Sequence, residues 1–357
     1  REQNDSIYDL HNSMISERTS VNLKAGLDYT INKKNTIGVM VNGSKGDNEW
    51  NSGGITYIYY APTMTHVKNL TASNSQPRNN TNANFNANWR HTDTSGTEIN
   101  VDADYGIFKR SSSSFQPNIY TAANGDPIAT YIYKNITPID IDIYSLKGDV
   151  ERKLGKGKLG FGAKTSYVVT KNSFDFFKQN GGVDDKQLDK SNKFKYTENI
   201  NAVYANYNRQ LNKKLFMQLG VRLEQTNSHG TLTREDGIQQ TDDDVKRNYL
   251  DLFPSAAFSY TLNKKNSFNL TYSRRIDRPT YQDLNPFENK IDELTYEKGN
   301  AFLRPQYTDN AEIKHVFMGL ITTSFAYSYI HDYATEVLDT TNKNATYVQH
   351  KNLATQQ

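Results

Sequence analysis

From Thr19 to Ile31 the residues Val21, Leu23, Ala25, Leu27, Tyr29 and Ile31 alternate with Ser20, Asn22, Lys24, Asp28 and Thr30. An apolar side chain at every second position predicts a strand with one face against lipid or a core and the other against water. Asn32-Lys33-Lys34-Asn35 then turns the chain, and Ile37, Val39 and Val41 carry it back as a hairpin. The same alternation returns at Phe85, Ala87 and Trp89, and after a turn at His91 to Gly96 it continues through Ile99, Val101, Ala103, Tyr105 and Ile107. Further pairs flank Gly155-Lys156-Gly157, Leu211 to Lys214, Leu262 to Asn266 and Met318-Gly319. About a dozen strands result, with a bulge expected near Ile143 and Tyr144, where the alternation slips.

Between these hairpins lie long polar stretches, which read as loops: Gly43 to Thr81, with an additional strand only at Ile55 to Tyr60, then Lys109 to about Thr137, and Thr170 to Lys195. Short and long connections therefore alternate, with turn centres recurring roughly every 50 to 60 residues. A soluble sandwich or solenoid has no reason to gather its long connections at one end. A transmembrane barrel has one, because its periplasmic turns are short and its outer loops long. Tyr29, Trp89, Tyr105, Tyr260 and Tyr272 near strand ends suit interfacial girdles. The lysine pairs at 33–34, 213–214 and 264–265 fall in the short turns.

The composition agrees with such a wall. A mean hydropathy of -0.79 over 357 residues is too low for a conventional core of this size, but it fits a sheet that is apolar on one face only. No stretch reaches the roughly 18 apolar residues of a membrane helix, so a crossing must use strands. A net charge of +3 and the lack of a basic stripe argue against a nucleic-acid partner. Absence of cysteine decides little.

One stretch breaks the pattern. Thr271-Tyr-Ser-Arg-Arg-Ile-Asp-Arg-Pro279 opens as a strand, and Pro279 and Pro286 then end any ladder. The polar residues that follow stay ordered only if they find partners, as they would inside a wide polar cavity. Tyr-Ser-Arg-Arg-Ile-Asp-Arg-Pro, then Tyr281-Gln-Asp-Leu-Asn-Pro-Phe287, then Gly299-Asn-(x)2-Leu303-x-Pro305-x-Tyr307 resembles the signature of the outer-membrane β-barrel family of TonB-dependent receptors, Bacteroidota type. The broader receptor pattern has Pro and Glu where this chain has Ala301 and Gln306.

The resemblance implies an all-β, transmembrane, antiparallel up-and-down β-barrel, of which residues 1–357 are one incomplete barrel domain without its plug. The complete wall would hold about 22 strands. Arg1 is not a natural start, and Ala354 to Gln357 lacks a terminal aromatic, so the chain reads as cut at both ends. The implied location is the outer membrane. Partners implied with it are outer-membrane lipid, a TonB energy-coupling complex acting through the plug, and a surface lipoprotein. The signature residues expected to have a structural or gating role toward the plug are Arg274, Arg275, Asp277, Arg278, Pro279, Tyr281, Asp283, Asn285, Pro286, Phe287, Gly299, Asn300, Leu303, Pro305 and Tyr307. Arg275, Asp277 and Asp283 are expected to make charge-assisted hydrogen bonds to wall strands or plug.

No hydrolase, zinc or phosphate-loop motif is present, so neither enzyme activity nor a cofactor is expected. Asp242-Asp243-Asp244 and Asp184-Asp185 lack calcium-loop spacing, and His229 and His331-Asp332 are single His and Asp coincidences. Two functions remain: import of an iron chelate, glycan or peptide, or service as an outer-membrane scaffold without transport. A soluble all-β binding module is a third reading.

Overall fold

The computed structural model describes residues 2–3, 5–286, 288–290, 295–339 and 346–356. Its main element is an antiparallel meander. A short β1 (Glu2–Gln3) leads into β2 (Ser6–Asn32), which pairs with β3 (Asn35–Tyr60), and the order continues through β4 (Thr65–Thr92), β5 (Glu98–Ala122), β6 (Pro127–Leu154) and β7 (Gly157–Asn180). A small β8 (Val183–Lys186) folds back on β7, and the wall resumes with β9 (Asn192–Asn212), β10 (Leu215–Arg234), β11 (Asp244–Asn263) and β12 (Asn266–Asp277). A single-turn helix α1 (Tyr281–Leu284), β13 (Glu288–Lys290) and β14 (Thr295–Lys298) interrupt it. Then β15 (Gln306–Phe317) pairs with β12, and β16 (Ile321–His331) follows. Two further strands, β17 (Ala334–Asp339) and β18 (Thr346–Asn352), join β13 and β14 in a separate four-stranded sheet, and β19 (Thr355–Gln356) returns to β16. Among the described residues β2 and β16 do not pair with each other, so the wall is open.

Three of the short turns are closed by one device. The Oδ1 of Asn32 accepts from the backbone N–H of Lys34 at 2.9 Å and of Asn35 at 3.1 Å. Asn212 does the same for Lys214 and Leu215, and Asn263 for Lys265 and Asn266. An Asn side chain that mimics a backbone carbonyl fixes the turn locally, while the lysines that follow stay in solvent.

Because opposed residues in an antiparallel pair share a face, the register carries the alternation across the sheet. Tyr29, Ile37, Trp89 and Val101 are successive partners, as are Tyr207, Leu219, Ala256 and Tyr272. This face leaves Val21, Leu23 and Leu27 about 70% exposed, and Phe85, Leu219, Val221 and Leu270 40 to 50% exposed. Side chains this apolar with nothing over them form a belt meant for a non-aqueous surface. The other face carries Asn22, Asn86, Asp102, Lys164, Arg222 and Thr271.

Two expectations are corrected. The stretches read as long loops are strands: β3 and β4 stay in register up to Tyr60 and Thr65, and β5 and β6 up to Thr121 and Pro127. Polarity does not prevent a strand when both neighbours supply ladder partners, so the outer ends need no apolar face. With 28 residues, β4 extends about 90 Å at a rise of ~3.3 Å per residue, while a hydrocarbon core takes only about 9–11 residues. The bulge near Ile143 is also absent, since Gly106, Ile143 and Val168 pair without a shift. Ile143 is an apolar side chain on the polar face, 3.5 Å from where a Cβ on Gly106 would stand.

The long hairpins have a small core of their own. Tyr133, Phe174 and Phe176 are buried and stacked, with ring centroids 5.5 and 6.3 Å apart. Ser191 closes the cover by accepting from the Phe176 N–H at 3.1 Å and donating to the Gln187 carbonyl at 2.8 Å.

Candidate functional site

The stretch after β12 leaves the wall and crosses its polar face. Pairing of β11 with β12 ends at Ser255 and Ser273, while β12 stays with β15 up to Asp277 and Gln306. Pro279, with no N–H and a fixed φ, follows directly. Thr280 then starts α1 through a capping box: its hydroxyl accepts from the Asp283 N–H at 3.3 Å, and its own N–H donates to Asp283 Oδ2 at 2.9 Å. Leu284, Pro286, Ala301, Leu303 and Pro305 are buried, so the segment has an apolar underside despite its polar sequence.

Arg278 fastens this segment to the wall. Its Nη2 donates to Glu224 Oε2 at 2.6 Å and to Thr226 Oγ1 at 3.1 Å. Glu224 also accepts from Arg222, whose guanidinium lies 5.1 Å from the centre of the Tyr204 ring, and the Tyr204 hydroxyl donates to Asp149 at 2.6 Å. A chain of charged groups and one phenol thus runs from the segment over β10 and β9, and past Gly162 of β7, to Asp149 on β6. A carboxylate only 8% exposed is tolerated because two guanidinium groups hold it.

The second half of the signature locks onto the first. A Cβ at Gly299 would stand 2.0 Å from the Asn285 carbonyl oxygen, so only glycine fits. The Asn300 N–H donates to the Asp283 carbonyl at 2.5 Å, and its side chain donates to the His350 carbonyl at 3.2 Å. Arg247 of the wall donates to the Ala301 carbonyl. Burial pushes the Arg247 guanidinium down from its usual range. Arg304 pairs with Asp332 at 2.6 Å, and its N–H donates to Asn352 Oδ1 at 2.8 Å.

The remaining signature residues are spread over several environments. Arg274 lies 3.9 Å from Asp309 and 5.4 Å from the centre of the Tyr307 ring, and Tyr307 donates to Asp251 at 3.1 Å. Burial pushes the half-buried Tyr281 phenol up, against the opposing pull of Arg110. Asp277 accepts from the neutral Gln306 at 3.1 Å, and Asp283 caps α1 with His350 at 3.5 Å. Arg275 is exposed and has no ion pair among the described residues, which leaves the plug as the partner expected of it, while Arg278 makes the wall contact. Phe287 lies outside the described residues.

Glu224, Thr226, Arg247 and His350 were not among the expected site residues. Glu224 shares the inward parity of Arg222, but nothing local in the sequence ties it to an arginine 54 positions on. The acidic runs have partners within the protein: Asp242 and Asp243 lie against Arg234, Asp244 against the His229 ring, and Asp184 against Lys134.

An apolar belt on one face, a polar opposite face and a docked inner segment define a wall of a membrane-spanning β-barrel. The model of the outer membrane protein beta-barrel family matches residues 90–357, and the chain belongs to that family and to the outer membrane. The fold is similar to that of the copper transporter OprC, with a TM-score of 0.55, 9% identity, and coverage of 99% of this chain and 59% of that one. It is also similar to the siderophore receptor PiuA from Acinetobacter baumannii, with a TM-score of 0.50, 11% identity, and coverage of 98% and 60%. The chain thus spans under two thirds of the length of these solved structures. No curated protein matches the sequence.

Proposed function

We propose that the chain is wall and inner docking segment of a TonB-dependent importer that captures a scarce nutrient between its long outer hairpins. The observation that carries this reading is the segment from Arg278 to Pro305, held across the polar face by Arg278 to Glu224 and by Arg247 to Ala301. A wall that served only as scaffold needs no partly buried charged contact inside its curve, whereas a gated passage needs an ordered element there. The energy-coupling complex would act through a plug, and the iron-chelate, glycan or peptide class of the nutrient follows from the resemblance. A surface lipoprotein is a compatible partner at the hairpin tips.

Uptake of labelled ferric chelates, oligosaccharides and peptides by a deletion strain, with and without the coupling complex, tests the reading. One nutrient whose uptake falls in both backgrounds is the expected result. Unchanged uptake of all three classes, together with lost assembly of other outer-membrane proteins, would favour the scaffold.

A further inference from the structure

Between the inner segment and strands β4 to β7 lies a cleft of about 320 Å³, at the small end of ligand pockets. Its wall side carries Arg78 and Arg110. The register places Arg78 opposite Ser112 and Arg110 opposite Asn80, so the two arginines are diagonal neighbours on one face. Both are half-buried, and both are held by neutral groups: Arg78 donates to Gln76, and Arg110 to Asn80 Oδ1 at 2.7 Å. Among the described residues no carboxylate pairs with either one. This is the opposite of Arg278, Arg234 and Arg304, each of which has an acid.

Two like charges partly withdrawn from water, with no carboxylate bonded to either, are an unfavourable arrangement that an anion would relieve. The Arg78 guanidinium is indeed pushed below its usual range, first by burial and then by Arg110. Guanidinium forks match two-oxygen anions in geometry as well as charge. Two strands from Arg110, beyond Ile139, Asn172 also lines the cleft, and its Oδ1 is buried without a hydrogen-bond donor. Thr137 and Asn135 add hydroxyl and amide groups, and Ile139 and Phe174 form an apolar floor. The carboxylates that line the cleft, Asp283, Glu297 and Glu336, belong to the inner elements rather than to the wall strands.

We propose that this cleft binds a hydroxylated ligand bearing an oxyanion, with Arg78 and Arg110 holding the carboxylate, sulfate or phosphate and Asn172 accepting from a hydroxyl. The ligand class deepens the import reading and rests on it only for its biological meaning, since binding itself needs no transport. The chemistry is shared by acidic sugars and by free inorganic anions, and the probes separate them.

The test is calorimetric titration of the full chain in detergent with glucuronate, glucose, inorganic phosphate and inorganic sulfate. Glucuronate should bind saturably, with glucose and both inorganic anions at least tenfold weaker. R78Q and R110Q should each weaken glucuronate about tenfold, the size of one lost charge-assisted contact. K109Q removes the same charge from the exposed neighbouring position and should change nothing. R78K keeps the charge without the fork, so weaker binding by a normally folded R78K separates recognition from folding. Inorganic anions that bind as tightly as glucuronate would reduce the site to a plain anion site without the hydroxyl contact. Equal glucose binding, no binding of any anion, or equal losses in K109Q and R110Q would overturn the proposal. Binding without uptake would instead count against import and leave the site standing.

Discussion

Arg278 and Glu224, 54 residues apart, meet at 2.6 Å where the inner segment leaves the wall, and no other described residue of that segment pairs with a wall carboxylate buried to this degree. Replacing Arg278 by Ala leaves Glu224 with Arg222 alone. Removing one partner of a buried pair costs about 3 kcal/mol, and here the expected consequence is release of the segment. A spin label at Gln282 should become mobile in R278A, and E224Q should release it as well, because Arg278 and Arg222 then lose the carboxylate they share. Unchanged label mobility in both variants would make the contact dispensable.

The face assignment can be checked with one pair of neighbours. Leu219 is on the apolar face and Gln218 on the polar one, so an arginine at Leu219 should cost about 2–4 kcal/mol near the midplane and one at Gln218 far less. Urea titration of the barrel refolded in bilayers measures both. Equal costs would place the belt elsewhere.

Gly299 has no room for a side chain against the Asn285 carbonyl. G299A should therefore separate the two halves of the signature and expose Lys298 to trypsin, while the wall melts at its usual temperature. A wild-type digestion pattern would show that the backbone can shift to make room.

Lys186 holds an outer hairpin by pairing with Asp175 at 2.7 Å and Glu235 at 2.6 Å, and these carboxylates raise its ammonium above the usual range. A raised folded value means that the stabilisation is complete below the unfolded value, about 10.4, and is lost as pH rises through the folded one. The gap in thermal stability between wild type and K186Q should stay constant from neutral pH to about 10 and close above it. A gap that stays open above about pH 11 would show that the ammonium does not carry the contact.

Sidedness follows from the turns. Tags after Lys33, Lys213 and Lys264 should be hidden on intact cells, and tags at Asn124, Asp184 and Asp243 should be accessible. Asn74, which lies within β4 opposite Ser52, belongs to the outer set but is paired on the strand, so an insertion there should disturb the hairpin.

The sequence alone determined the features whose causes are local. Period-two alternation depends only on the pleat, so Val21 to Ile31 and Phe85 to Trp89 declared their faces at once. The Asn-Lys-Lys turns are equally local, because Asn32, Asn212 and Asn263 bond backbone groups two and three residues on. The prolines at 279 and 286 told where the ladder must stop. Tertiary structure decided what local signals do not carry. The polar ends of β3 to β7 are strands because their neighbours complete the ladder, which no single strand's composition reveals. Arg278 rather than Arg275 meets the wall because the chain has left the β12 ladder by then, freeing its side chain to reach Glu224. The diagonal of Arg78 and Arg110 exists only through the register of β4 on β5, a relation between residues 32 positions apart.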